Sequence, residues 1–482
     1  MKNMNLIKLL LRFAVGRFAV SGDIKQFFNC ANLIVQQWNL QRFVFKEGLD
    51  PDSETKEGVI TTAIYGVTSS TSQNEVIKMK LAGVVKENKP EVAKMLIDST
   101  YVDDVGESMA NLDQCMALIA DADEAFASIG CKIKDWVVSG QDPSEKVSKD
   151  GISIEIGGVI WYPKLDILMV KIPLLHFGKI VRGRIKPGTQ FFTGGSLESL
   201  DEFFPGRFTK RQSTSKLASI WDPRGKLAPM MAAAKQLLRL TNTQTVGWDD
   251  PMPAIIRNKW IQMFWRFEKL RALQFTRPVM PADAKNCKMR LLCGADAAAP
   301  MIMVGGWGGF ERTDGTWSCQ LLLGRSVMAD ENSTIPKLEL EGLCAASNMK
   351  WIISRALEDW VDSEAVFGDS RIALCWTTSE NKRLGIFHRA RVLQIRRGTS
   401  LDSLYHVRTD HNPCDTGTRP DKLTINSVGP ESRWEKGEKW MSGGFAKAIK
   451  ADILKPASEL RIKLRRRKSS MMDAFLRSRK SW

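Results

Sequence analysis

Tyr101-Val102-Asp103-Asp104 sets two adjacent carboxylates inside apolar sequence, and few local structures can hold them there. Neighbouring aspartates repel each other, and burial makes charging either one harder. A fold keeps such a pair together mainly where a cation binds, and hard carboxylate oxygens suit Mg²⁺. Along a regular strand the two side chains would point to opposite faces. In a tight turn between two strands that alternation breaks down, and both can face one ion. The four letters are a weak sign by themselves, because a polar hairpin turn would also produce them.

The surrounding totals narrow the choice. A length of 482 residues suggests about three domains. Apolar content of 43% and charged content of 26% are those of folded globular protein. A net charge of +16 makes a polyanion, nucleic acid first, the natural partner. Solubility or basic ends would be the other source of that charge. The nine cysteines are scattered without a CxxC pair and read as reduced intracellular thiols, placing the protein in the cytoplasm, the nucleus or both. Four histidines, none at zinc-finger spacing to cysteine, give no structural zinc site. The apolar run Met4 to Val20 is interrupted by Lys8, Arg12 and Arg17, too short and too charged to span a membrane. It reads as a helix or a strand of a globular domain.

Periodicity organises the rest. Glu75 to Ile97 is helical in pattern, Leu96 to Val105 is strand–turn–strand, Ala110 to Ile129 is an amphipathic helix and Lys132 to Val138 a strand. That order makes a small α+β sheet with helices on one face. Leu227 to Leu240 and Ala254 to Leu273 are helices, and the rings of Trp260, Phe264, Trp265 and Phe267 read as core packing before base stacking. A second α/β pattern starts near Lys288. It has strands at Met289 to Cys293, Met301 to Phe310, Trp317 to Leu323, Ala365 to Phe367 and Leu404 to Arg408, and a helix at Leu338 to Ile353. The fold class expected is therefore multidomain, α+β followed by α/β.

Two acidic constellations stand out. Asp23 ends an apolar strand, and beside Asp103 and Asp104 it would complete a nest able to hold two cations, the arrangement that clamps the attacking and leaving oxygens of phosphoryl transfer. Asp296, Glu339, Asp369 and Asp415 each adjoin a well-formed element of the second pattern. One acid in such a place is usually a solvated cap, but four together point to a second two-metal site.

These segments resemble the BEL/Pao family of retrotransposons. Ser21-Gly22-Asp23-Ile24-Lys25-Gln26-Phe27-Phe28 is similar to the first palm motif of reverse transcriptases, Tyr65-Gly66-Val67-Thr68-Ser69-Ser70 to the second, and Tyr101-Val102-Asp103-Asp104 to the third. Lys132-Ile133-Lys134-Asp135-Trp136 resembles the family's Leu-Arg-Lys-Trp strand. Gly158-Val159-Ile160-Trp161, Asp222-Pro223-Arg224-Gly225-Lys226-Leu227-Ala228-Pro229 and Trp248-Asp249-Asp250 follow in the family's order. Ile335-Pro336-Lys337-Leu338-Glu339-Leu340, Gly368-Asp369-Ser370 and Asn412-Pro413-Cys414-Asp415 are similar to the ribonuclease H segments.

The resemblance implies a reverse-transcriptase palm with truncated fingers over 1–145, a thumb or connection over 146–285, a ribonuclease-H-like domain over 286–425 and a basic tail over 426–482. It implies metal ligation by Asp23, the Ile24 carbonyl, Asp103 and Asp104, and by Asp296, Glu339, Asp369 and Asp415. Two Mg²⁺ ions per site are expected, with Mn²⁺ as a substitute. Tyr65, Gly66 and Phe28 would line the substrate site. Phe28 reads equally as a steric gate against a ribose 2′-hydroxyl or as a core ring. The expected partners are an RNA template, a DNA primer, an RNA–DNA hybrid, dNTP and other retrotransposon proteins. The expected function is RNA-directed DNA synthesis with ribonuclease H cleavage, and the alternative is a decayed remnant that binds nucleic acid without catalysis. From Ala451 onward the tail has ten Lys/Arg against three Asp/Glu, either a nucleic-acid contact or nuclear address, or a solvated end.

Overall fold

The computed structural model describes residues 2–460 apart from 49–51, 65, 68, 145–147, 149, 179, 182–183, 245–246 and 380–383. They form two units, one of residues up to Gly157 together with Trp161–Asp166, the other of the remaining described chain. The fold class is mixed α+β. The polybasic run Lys463 to Lys468 lies outside the described residues.

In the first unit, the apolar run at the N-terminus becomes both a helix, α1 (Lys2–Val15), and a strand, β1 (Phe18–Asp23). The break falls at Gly16, where a Cβ would lie 2.7 Å from the Met109 backbone. Two of the basic residues that interrupt the run, Lys8 and Arg12, find acids inside the fold. Arg12 is 4% exposed, with Nη2 2.8 Å from Glu107 and Nε donating to Ser99 Oγ at 2.8 Å, and Lys8 pairs with Asp98. Buried charges are tolerated when paired and hydrogen-bonded in this way.

A hairpin of β2 (Arg42–Lys46) and β3 (Thr55–Val59) follows, exposed on most of its length. Next come α2 (Ser70–Val85) and α3 (Pro90–Asp98). The sequence pattern gave one helix from Glu75 to Ile97. Pro90 divides it, since proline lacks an N–H and suits the first turn of a new helix. Then β4 (Thr100–Tyr101), β5 (Asp104–Met109), α4 (Leu112–Ala127) and β6 (Val137–Val138) complete a sheet of order β4-β5-β1-β6. The strand expected over Lys132 to Val138 is shorter, with only an isolated Ile24–Ile133 bridge before β6. Val20, Ile24 and Val105 pack with Leu81, Leu96, Leu118 and Phe126, so α2 to α4 form the expected layer on one face. The next position, Gly106, faces Leu9 and Phe13, so α1 adds cover on the other. Cys30 and Cys131 are joined in a disulfide, whereas thiols were expected throughout; the other seven cysteines are free. The two segments are held side by side by Lys25 N–H to Lys132 O and Lys134 N–H to Asp23 O, at 2.9 and 2.7 Å.

The second unit contains α5 (Lys210–Ala218), α6 (Ala228–Gln244) and α7 (Ala254–Leu270). The long meander β7 (Ala284–Ala298), β8 (Met301–Arg312) and β9 (Trp317–Met328) follows, then α8 (Ile335–Ala356) and β10 (Val361–Gly368). After these come α9 (Arg371–Thr378), α10 (Ile386–Gly398), β11 (Leu404–Val407) and β12 (Leu454–Pro456). Among the described residues the sheet order is β9-β8-β7-β10-β11-β12, with β10 parallel to β7 and β11, and the other pairs antiparallel.

Helices α6 and α7 share one core with this sheet, through Leu227, Trp260, Phe264, Met303, Trp307 and Leu321. The stretch expected as a separate thumb or connection, 146–285, is thus divided between the two units. The rings of Trp260, Phe264 and Phe267 are buried, as core packing requires.

The segment from Asp222 is an internal clasp. Asp222 accepts the N–H of Lys226 and of Leu227, Arg224 donates to the carbonyls of Leu321 and Leu322, and Lys226 reaches Leu321 O and Glu435. Gly225, at φ 68°, has no room for a Cβ against Gly324 O. Trp434 closes the clasp by donating to Gly225 O at 3.1 Å. Residues 426–460 are therefore part of the folded unit and not a tail, because Trp434, Trp440 and Leu454 are buried in its core.

Candidate active sites

Antiparallel pairing sets Asp23 directly opposite Asp104, and Tyr101 opposite Asp104 on the other side. Val102 and Asp103 make the turn. Val102 sits at φ 59°, a left-handed conformation that costs a β-branched residue about 1–3 kcal/mol. Ile24 N–H donates to Asp103 O at 2.9 Å and holds the turn against β1. Burial, then the neighbouring Asp103, pushes the Asp104 carboxyl up to about 6, and burial also raises Asp103. The Gly157 N–H opposes this at Asp104, while Glu155 adds to the negative field.

Lys134, whose role the sequence did not signal, places Nζ 2.8 Å from Asp23 Oδ2. A cleft of about 420 Å³ opens beside Asp23 and Asp104, lined also by Ser148, Asp150, Ser153 and Glu155. Asp150 is occupied in its own loop, accepting from Ser148 Oγ, Ser153 Oγ and two backbone N–H groups. Phe28 is 5% exposed in the turn Phe27–Cys30. Gly66 lies in a turn at φ 90° ahead of α2, and Tyr65 falls outside the described residues.

The second site lies at the carboxyl ends of the parallel strands β7 and β10, where open sheets commonly place ligands. Gly294 pairs with Phe367, so Asp296 and Asp369, each two residues further on, emerge as neighbours. Gly294 has to be glycine here, since a Cβ would lie 2.1 Å from the Phe367 ring. The first turns of α8 bring Glu339 to the same place. Ligand atoms of Asp296, Glu339 and Asp369 all lie within 4.8 Å of one another. Among the described residues no other group of three acid, His or Cys side chains closes to that spacing, so Asp23, Asp103 and Asp104 do not.

Asp415 stands nearby but is engaged differently, with Oδ1 2.6 Å from Arg419 Nε. Burial first, then Asp369, pushes Asp296 up to about 6. Burial first, then Asp369 and Asp296, pushes Glu339 up to about 9, and burial raises Asp369. Without a cation Glu339 therefore holds a proton at neutral pH.

Its supports are specific. Thr418 Oγ1 donates to Asp296, Asn412 Nδ2 donates to Ala295 O at 2.9 Å, and His406 Nε2 lies 3.1 Å from Asp369 O. Burial, then Arg371, lowers His406 to about 4, so it is neutral and donates through Nε2. Asp369 Oδ1 is buried without a hydrogen-bond partner. An orphaned carboxylate oxygen inside an all-oxygen cluster fits a hard divalent cation. His406, Asn412 and Lys134 fall within recognisable segments, although nothing in the sequence assigned Lys134 to Asp23; Thr418 carried no signal, because threonine is common on any surface.

Residues 209–370 match the family described as the Pao retrotransposon-like RNaseH-like domain, a span that includes Asp296, Glu339 and Asp369. That span is similar to a Pao-type RNaseH-like domain. The BEL/Pao resemblance read from the sequence is borne out by this match. No curated protein matches the chain. Solved structures that it is similar to include a foamy viral protease-reverse transcriptase in complex with RNA/DNA hybrid, at 12% identity and TM-score 0.44 over 80% of this chain and 44% of that one. A foamy viral protease-reverse transcriptase dRH in complex with ds DNA gives 11% identity and TM-score 0.46 over 81% and 57%. The chain thus spans about half the length of those chains. Among the described residues, no helix is long and apolar enough to cross a membrane.

Proposed function

We propose that this chain hydrolyses the RNA strand of an RNA–DNA hybrid, with Asp296, Glu339 and Asp369 holding the divalent cations. The observation that carries this reading is the convergence of three carboxylates, one buried and two half-buried, within 4.8 Å at the strand ends of the span that matches the Pao-type domain. Bound Mg²⁺, or Mn²⁺ in its place, would supply charge neutralisation and an activated water. The protein's own groups do the positioning. Thr418 fixes the Asp296 carboxylate, His406 fixes the backbone at Asp369, and Asn412 fixes Ala295 beside Asp296. Asp415 joins the site only when its carboxylate leaves Arg419. Exposed Arg389 and Arg397 on α10 offer charge to a nucleic-acid backbone.

A polymerase role for the first unit has its own support in the antiparallel sheet that sets Asp23 opposite Asp104 with Asp103 in the adjoining turn. In that reading Asp23, Asp103, Asp104 and the Ile24 carbonyl hold two cations, Lys134 leaves Asp23 when they bind, and the substrates are a primed RNA and dNTP. Other retrotransposon proteins would be its partners.

The test is the purified chain on an RNA–DNA hybrid and on a primed RNA, each with Mg²⁺. Asp369→Asn is expected to reduce hybrid cleavage by ~100-fold or more, since loss of even an outer support of a metal site costs about 10–100-fold. Asp104→Asn is expected to abolish primer extension and spare cleavage. Cleavage that survives in Asp369→Asn would sink the assignment.

A further inference from the structure

Asp415, the fourth acid of the second site, is positioned by its backbone but withheld by its side chain. One turn of helix, Asp415–Thr418, is tied to β7 on both sides. Before it, Asn412 Nδ2 donates to Ala295 O at 2.9 Å, and Asp415 N–H donates to Asn412 O at 3.1 Å. At its end, Thr418 Oγ1 donates to the Asp296 carboxylate. Ala295 and Asp296 are consecutive, so the two tethers hold the Asp415 backbone beside the cluster. The Asp415 carboxylate nevertheless stays outside the group of three that closes to within 4.8 Å. Its Oδ1 lies 2.6 Å from Arg419 Nε instead.

Arg419 supplies positive charge to this corner of the site. The Asp296 and Asp369 carboxyls are raised first by burial; among the lesser influences Asp415 adds to the rise at both, and Arg419 opposes it at both. The guanidinium is therefore within electrostatic reach of three acids at once. Its side chain is 46% exposed, against 16% for that of Asp415. The guanidinium can turn to solvent and be hydrated there, whereas a sheltered carboxylate that loses it needs another cation.

We propose that Arg419 is a latch on the second cation: the three converging carboxylates take one divalent ion without Asp415, and a second ion binds only in exchange for the guanidinium that Asp415 holds. This inference rests on the metal role proposed above for Asp296, Glu339 and Asp369. Both Asp415 and Arg419 lie outside the span that matches the Pao-type domain, residues 209–370. Charge sets the order of events. One divalent ion together with the guanidinium leaves the four ionised carboxylates one charge short of neutrality. Two divalent ions neutralise them, and the guanidinium is then in surplus and repelled. Arg419 is thus a positioning residue, acting through Asp415.

The full chain, carrying Asp103→Asn and Asp104→Asn to silence the acids of the first unit, is titrated with Mn²⁺ and the free ion is counted by electron paramagnetic resonance. With Arg419 present, one ion should bind tightly and a second more weakly. Arg419→Met should narrow the gap between the two affinities ~5-fold or more, since a partly exposed ion pair accounts for about 5-fold and the lost positive charge adds to it. Arg419→Gln should behave in the same way. Arg419→Lys keeps the charge and should hold the second affinity within ~2-fold of that with arginine, which separates the latch from a merely structural role. Asp415→Asn should keep the first ion and lose the second. An unchanged gap in both Arg419→Met and Arg419→Gln, or a second ion retained in Asp415→Asn, overturns the latch alone. No bound ion in any of these proteins overturns the proposed metal site, and the latch with it.

Discussion

Asp296→Asn offers the sharpest physical test of the acidic cluster, because it can be read without any activity. Asp296 is 5% exposed, and its carboxyl is pushed from 3.8 up to about 6, mainly by burial and then by Asp369. A carboxyl with a raised folded-state pKa binds its proton more tightly in the folded than in the unfolded chain. Its contribution to stability is therefore fully present below the unfolded value and falls as pH rises towards about 6. A shift of about two units corresponds to ~3 kcal/mol, roughly half of it lost above pH 5. The asparagine variant has no such proton to lose and can still accept from Thr418. Urea unfolding in EDTA, followed by tryptophan fluorescence at pH 5 and pH 8, should show the wild type losing ~1.4 kcal/mol more than the variant over that interval. Subtracting one protein from the other removes the titrations they share. Repulsion with Glu339 and Asp369 is relieved in the variant and acts in the same direction. Adding Mg²⁺ at pH 8 should then restabilise the wild type and leave the variant almost unmoved. Identical pH dependence in the two proteins would refute the reasoning, because it would mean that Asp296 is not strained by its neighbours.

Lys226→Met should destabilise the second unit by ~3–5 kcal/mol in the same urea assay, since it strands buried Glu435, and Lys226→Met with Glu435→Leu should recover much of that. Lys134→Met should strengthen Mn²⁺ binding near Asp23 by no more than ~5-fold, measured by paramagnetic broadening, because the ion pair it removes is half exposed and worth ~1 kcal/mol or less. Arg389→Ala with Arg397→Ala should weaken hybrid binding and flatten its dependence on salt, by about one unit of slope per lost phosphate contact, in fluorescence anisotropy.

Much of this chain could be read from local sequence. Strand and helix patterns located β8, α6, α7 and α8 close to their final limits, because each buries a long apolar face, whereas Met289 to Cys293 caught only the middle of β7 and Trp317 to Leu323 only the first part of β9. The short elements were less legible. Val137–Val138 is too brief for any period to show, and the helix over Glu75 to Ile97 looked continuous because Pro90 fits the pattern of a first turn as well as that of a break. Residues 426–460 looked like the start of a basic tail, since Trp434 and Trp440 acquire their meaning only from the cavities they fill.

The acids themselves were determined by the sequence: Asp23, Asp103 and Asp104 near one hairpin, and Asp296, Glu339, Asp369 and Asp415 at the ends of well-formed elements. Which of them meet was decided by tertiary structure. Parallel pairing of β7 with β10 makes Asp296 and Asp369 neighbours, and α8 delivers Glu339 to them. Asp23 is held by Lys134, and nothing in that pair's spacing announces it, whereas Asp415 is held by Arg419 four residues on, the spacing of an ion pair on one helical turn. The physical reason is common to the long-range pairs. A carboxylate's chemistry depends on what lies within about 4–6 Å of it, and residues 30 to 111 positions apart reach that distance only through strand register and helix packing.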